Sequence, residues 1–239
     1  MLTTHAFALV NRSMKKPLLA ATIAALSLSG TAVAHEAGDV ILRVGVVHAD
    51  PDVSSSRVKV EGWGKIAGSS LDMKSDTQAG LTGTYMIMPH FGIEASITTP
   101  FSHKIRSCYK GYGCETRGEV SRLSPTISGQ FFFLNPKSAF QPYVGLGLNY
   151  TVFYDEKFNS KAKREGDKNL STKDSIGVVA QIGMDYKFSD RVLVNAAIWK
   201  MGISSKAEWK GVAPWGTYKA EADVDINPWV YTLGIGFKF

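Results

Sequence analysis

Large apolar residues alternate strictly with small or polar ones along Asn227–Phe239 (NPWVYTLGIGFKF). Trp229, Tyr231, Leu233, Ile235, Phe237 and Phe239 share one side, and Val230, Thr232, Gly234, Gly236 and Lys238 the other. Successive side chains of a strand point to opposite faces, so this segment has one continuous apolar face and one small or polar face. Such a strand suits lipid on one side and a lumen on the other. Read between turn signals, the same alternation predicts eight strands, at about 39–49, 77–88, 91–106, 118–134, 141–154, 173–188, 191–204 and 222–239.

The connections alternate in length. Pro89-His90, Asn135 to Ala139 and Ser189-Asp190 are tight turns, whereas 50–76, 107–117, 155–172 and 205–221 are long, polar and rich in Gly and Lys. Short periplasmic turns opposed to long extracellular loops predict an all-β fold: an eight-stranded antiparallel transmembrane β-barrel. A soluble sandwich would not explain loops that are long at one end only. The predicted lipid face includes Leu81, Tyr85 and Ile87; Ile93, Ala95 and Ile97; Ile127, Phe131 and Phe133. It continues through Val144, Leu146, Leu148 and Tyr150, then Ile176, Val178, Ala180, Ile182, Met184 and Tyr186, with aromatics gathered toward the strand ends.

The N-terminal segment places the chain in the export pathway. Lys15 and Lys16 precede an apolar run from Pro17 to Gly30, and Ala32-Val33-Ala34 has the small-x-small form of a cleavage site, so residues 1–34 read as a signal peptide and 35–239 as one barrel domain starting at His35. A start at Met14 in place of Met1 gives a more compact leader. The run is too short for a membrane-spanning helix, which needs about 20 residues. Removing Arg12, Lys15 and Lys16 lowers the formal net charge from +6 to +3, and no recognition motif accompanies that mild basicity, so nucleic acid is not an expected partner.

Inward positions divide by height. Arg43, Glu94, Gln130, Asp185, Asn195 and Lys238 fall near the periplasmic turns or termini and predict a polar, charge-paired floor; Phe153, Val179, Trp199, Met201 and Ile203 fall nearer the long loops and predict an apolar upper lumen. The bland alternative is that these residues simply pack a filled interior, as eight-stranded barrels commonly do, and that the floor charges pair to satisfy one another. An apolar solute cannot cross such a floor cheaply, which points to sideways release. Pro100 and Pro125 lie on neighbouring strands in the half toward the long loops, and neither can donate to the ladder, so they mark either a lateral opening or merely a bulge or strand end each.

Cys108 and Cys114 enclose YKGYG in one loop. Two cysteines in an exported chain predict a disulfide that stiffens the rim, and nothing nearby completes a metal set. Asp223-Val224-Asp225-Ile226-Asn227 imitates a calcium loop, but Pro228 and Gly234 stand where Gly and Glu are required. Gly145-Leu146-Gly147 and Gly234-Ile235-Gly236 sit inside strands with no helix following, so neither is a dinucleotide fingerprint. No metal site, cofactor or catalytic constellation is expected, and the chain is not expected to be an enzyme. Lys157, Lys161, Lys163, Arg164 and Lys168 form a basic loop suited to solvent or to lipopolysaccharide phosphates.

The mature start HEAG (His35–Gly38), TPFSHKI (Thr99–Ile105), PYVGLGLNYTVFYDEKF (Pro142–Phe158), VLVNAAIW (Val192–Trp199) and the closing NPWVYTLGIGFKF together resemble the outer membrane protein W (OmpW) family over essentially the whole mature chain. The resemblance implies a monomeric eight-stranded barrel associated with uptake of small hydrophobic molecules. Membrane lipid, lipopolysaccharide and the barrel-assembly machinery would be its partners, and Phe239 would take part in barrel closure. Two functions from different classes stay open. One is a channel for passive uptake of small hydrophobic or amphipathic molecules with lateral exit into the membrane; the other is a non-transporting surface barrel with adhesion, receptor or envelope-stability roles.

Overall fold

The computed structural model describes residues 35–214 and 216–239; the expected signal peptide at 1–34, and with it the alternative start at Met14, lies outside the described residues. In chain order the elements are β1 (Val40–Asp50), β2 (Ser54–Ser55), β3 (Lys59–Val60), β4 (Gly64–Lys65), β5 (Ser69–Met73), β6 (Asp76–Met88), β7 (Phe91–Thr98), β8 (Phe101–Tyr109) and β9 (Gly113–Leu123). There follow β10 (Thr126–Phe132), β11 (Phe140–Phe158), α1 (Ser160–Arg164), β12 (Lys168–Thr172), β13 (Ser175–Lys187), β14 (Val192–Met201), β15 (Ser204–Ala213), β16 (Gly216–Asp225) and β17 (Trp229–Lys238).

Eight of these strands close a barrel in the order β1-β6-β7-β10-β11-β13-β14-β17, every neighbour antiparallel, with β17 returning to β1. Closure removes the unpaired edges that an open sheet would expose in lipid. The seam runs from Ile41↔Lys238 to Asp50↔Trp229. It ends on a reciprocal pair of bonds, Val40 N to Phe239 O at 3.1 Å and Phe239 N to Val40 O at 2.9 Å. Where Gly45 faces Gly234, a Cβ on Gly45 would stand 2.2 Å from the Leu233 carbonyl oxygen, so glycine lets the seam strands approach. All of the expected lipid-face side chains are exposed, and the first strand adds Val40, Leu42, Val44 and Val46.

Three expected strands are interrupted. The third breaks at Thr99–Pro100 into β7 and β8, and the fourth at Ser124–Pro125 into β9 and β10, because proline withholds a ladder donor. The stretch expected at 222–239 divides into the end of β16 and β17 around Asn227, whose φ is +35°. The expected long loops are themselves largely strands. β15 and β16 form a hairpin joined by β12, β2, β3 and β4, while β5, β8 and β9 extend the barrel wall.

These upper strands reverse the amphipathic rule of the barrel. On β16, Ala220, Ala222 and Val224 are buried and Lys219, Asp223 and Asp225 exposed; two residues past the break, Trp229 and Tyr231 of β17 are the exposed ones. The outward parity is unchanged while its chemistry passes from charged to aromatic. The medium outside therefore changes from water to lipid between Asp225 and Trp229.

Candidate functional site

The floor of the barrel is built on Arg43. Its Nε and Nη2 donate to the two oxygens of Asp185 at 3.0 and 2.5 Å, while Nη1 donates to Thr84 Oγ1 at 2.7 Å and to Glu94 Oε2 at 3.4 Å. Asn195 Nδ2 donates to Asp185 Oδ1 at 2.8 Å and to the Tyr143 hydroxyl at 3.0 Å, and Gln181 Nε2 to Glu94 Oε1 at 3.0 Å. Gln130 Oε1 accepts from Thr84 at 3.0 Å. Arg43, Glu94, Gln130, Asp185 and Asn195 are all buried, and a bidentate guanidinium–carboxylate pair with its remaining polar atoms hydrogen-bonded is the form in which buried charge is tolerated. Lys238 departs from the expected set. It sits one inward step toward the periplasm from this layer and pairs with Asp39 at 3.2 Å. Thr84, Ser128, Tyr143 and Gln181 belong to the floor in addition to the expected set, and the signal for each is its inward parity, shared with those positions.

Above the floor, Phe153, Val179, Trp199, Met201 and Ile203 are buried and pack into one cluster with Phe101, Val120 and Ile226. The open space lies higher than those five residues, and none of them lines it. A cavity of ≈ 790 Å³ is enclosed by the upper strands, with apolar side chains from Leu71 and Met73 on β5, Ile105 on β8, Val120 on β9, Trp209 on β15 and Val224 on β16. Leu71, Met73 and Trp209 fall in segments expected to be polar loops. The period-2 spacing of Ala220, Ala222 and Val224 was the signal available, masked by charges on the alternate positions.

The rim of this cavity is polar and braced. Arg117 holds Asp167 at 2.6 Å and bonds Glu165, keeping the Glu165 carboxyl below its usual titration range, while Lys161 pairs with Glu115 at 2.5 Å. Asn159 caps α1 through its side chain, accepting from Ala162 N at 2.8 Å. Of the basic loop residues, Lys157 and Lys161 are thus engaged by acids, and Lys163, Arg164 and Lys168 are exposed. Cys108 and Cys114 are register partners at the tip of the β8–β9 hairpin and are joined by a disulfide beside the cavity mouth, so neither thiolate is available to a metal.

The wall below the cavity is interrupted on one side. The β7–β10 ladder stops at Ser96↔Thr126 and the β8–β9 ladder resumes at Phe101↔Arg122, so five steps on one strand oppose four on the other with no pairs between. Pro100 and Pro125 lie within that interval. The outer edges stay intact, since Thr99 N donates to Ala79 O at 2.8 Å and Tyr150 N to Pro125 O at 3.0 Å. A small cavity of ≈ 40 Å³ opens at this break, lined by the outward Leu81 and Ile97 as well as the inward Trp199, Met201 and Val230.

The family model for the OmpW family matches residues 36–239. Outer membrane protein W of Vibrio cholerae is 39% identical over 92% of this chain and 96% of its own length, and that of Escherichia coli K12 is 37% identical over 95% and 100%. The crystal structure of outer membrane protein OprG from Pseudomonas aeruginosa superimposes with a TM-score of 0.82 at 41% identity, covering 86% of this chain and 98% of that one. The chain therefore belongs to the OmpW family and is a β-barrel of the outer membrane.

Proposed function

We propose that this barrel is a channel for passive uptake of small hydrophobic or amphipathic molecules, which enter from outside and leave sideways into the membrane. The observation that carries this reading is a cavity of ≈ 790 Å³ with apolar walls, standing above a floor that an apolar solute cannot cross. Desolvating the Arg43–Asp185–Glu94 network without replacing its bonds would cost several kcal/mol, on the order of the penalty per buried ion. The ladder break at Pro100 and Pro125 offers the alternative path. Phe101 and Val120, buried between the two cavities, are the side chains that must turn to connect them.

The test is uptake of a small hydrophobic compound into liposomes carrying the parent, Pro100→Ala/Pro125→Ala, or Leu71→Asp, each checked for heat-modifiable folded barrel. Thr99 N bonds toward Ala79, so an N–H restored at position 100 points the other way, into the gap, lets the ladder close and slows release, and a carboxylate at position 71 makes the cavity wall hostile to apolar solutes. Each change is expected to lower uptake about tenfold, corresponding to about 1.4 kcal/mol. Parental rates in every folded variant would leave the surface-barrel reading, which the packed Phe153–Trp199–Ile203 layer favours.

A further inference from the structure

Arg122 stands at the upper lip of the wall gap, 1% exposed. Its Nε donates to His103 Nε2 at 3.0 Å, and its Nη1 to Ser124 Oγ at 3.0 Å; its Cζ lies 4.9 Å from the centre of the Phe101 ring. His103 Nδ1 is 2.7 Å from the Lys74 carbonyl oxygen, so Nδ1 carries the proton and Nε2 is the acceptor: the imidazole facing Arg122 is neutral. Among the described residues no carboxylate lies within 4.0 Å of the guanidinium. Asp76, the acid nearest in influence, already accepts from the backbone N–H groups of Thr77 and Ser102 and from Gln78.

The contrast with Arg43 is internal to the molecule. One buried arginine is given two carboxylates; the other, equally buried, has none and leaves Nη2 with no hydrogen-bond partner. An uncompensated buried guanidinium is costly, so an arginine kept in this state calls for an anion supplied from elsewhere. The same ≈ 40 Å³ cavity is lined by Trp199 and Thr98, whose Nε1 and Oγ1 are also buried without partners. The three unmatched donors belong to residues that line one small space, and an acceptor with several lone pairs would satisfy them. The volume exceeds what one water requires, about 10–15 Å³, but holds only a head group. Leu81 and Ile97, exposed on the lipid side, and Met201 on the lumen side leave an apolar course for a tail.

Taking the channel reading above as its basis, we infer that the wall gap is a binding site for the carboxylate of an amphipathic monocarboxylate, held by Arg122 with Trp199 and Thr98 as further donors. The solutes that this barrel favours are then fatty-acid-like anions rather than neutral hydrocarbons.

The test uses the full barrel in phosphatidylcholine nanodiscs near neutral pH, titrated with octanoate and with 1-octanol, and read by calorimetry and by the Trp199 indole N–H resonance. Octanoate is expected to shift that resonance and to bind about ten- to hundredfold more weakly to Arg122→Gln, the span of one charged hydrogen-bonded pair. Binding of 1-octanol should be unchanged. Arg122→Lys should retain most octanoate binding, and Thr98→Val should weaken it several-fold; these two variants carry the test if Arg122→Gln does not fold. Equal octanoate affinity in the parent and the Arg122 or Thr98 variants, or an indole resonance indifferent to octanoate because the bilayer's own phosphates already occupy the site, overturns the inference. Liposome uptake of 1-octanol separates the two levels: uptake without Arg122-dependent octanoate binding sinks the site alone, and Arg122-dependent binding without uptake sinks the channel alone.

Discussion

Replacing Arg43 by methionine removes the centre of the floor at nearly constant volume. In the parent, Asp185 receives two bonds from Arg43 and one from Asn195, and Glu94 receives one from Arg43, one from Gln181 and two longer ones, at 3.5 Å, from Thr84 and Ser128. The substitution strands two carboxylates, 0% and 1% exposed, each left with one strong neutral donor. Breaking a buried pair by removing one partner costs about 3–5 kcal/mol, most of it the burden of the charge left behind. Removing that charge should return most of the loss, so Arg43→Met/Glu94→Gln/Asp185→Asn is expected within about 1–2 kcal/mol of the parent, since amides can still bond within this polar layer. The assay is reversible urea unfolding in lipid vesicles, followed by Trp fluorescence and by heat-modifiable migration on gels, arranged as a mutant cycle. A single variant within about 1 kcal/mol of the parent, or a triple variant no more stable than the single, would refute the view that the floor is a mutually compensated charge network.

Gly45→Ala should destabilise the barrel by about 1–3 kcal/mol or block its assembly, because the new Cβ meets the Leu233 carbonyl oxygen; Gly83→Ala, where the nearest atom is the movable Leu42 Cδ2 at 3.2 Å, is the control, and equal effects in urea unfolding would count against the seam argument. Deleting Phe239 removes the reciprocal bonds to Val40 and should sharply lower folded protein in outer-membrane fractions, with normal levels contradicting its role in closure. Protein from cells should have a mass two hydrogens below the reduced chain, reporting the Cys108–Cys114 bond. Cys108→Ser/Cys114→Ser should still form the barrel while losing about 2 kcal/mol at most, since the cross-link closes a short loop within the upper hairpin; failure of the barrel to form would mean the rim is needed for folding.

Much of the barrel is readable in the chain because lipid imposes a period-2 constraint that few other environments would produce. Once Trp229, Leu233 and Ile235 must face acyl chains, Thr232, Gly234 and Gly236 must face inward, and eight such segments separated by alternately short and long connections leave little choice of topology. The same parity carried Arg43, Glu94, Asp185 and Asn195 to a common interior, and the two prolines to adjacent strands.

Local pattern could not decide how far each strand continues, because the amphipathic rule reverses where the wall leaves the membrane. β15 and β16 have charged outward faces and small or aromatic inward faces, a pattern that reads as polar loop until a neighbouring strand is present to bury Ala207 against Ala222. The apolar cavity is made by β5, the β8–β9 hairpin and the β15–β16 hairpin, distant from one another in sequence, so its height above Trp199 and Ile203 exists only in the assembled wall. Register had the same dependence: a five-against-four gap between Ser96 and Phe101 follows from how two ladders meet, and neither proline alone specifies it. The sequence by itself thus determined which side of each strand faces lipid, through a local alternation. Tertiary structure alone decided where the space, the gap and the unpaired arginine fall, because those depend on pairings between segments that no local pattern encodes.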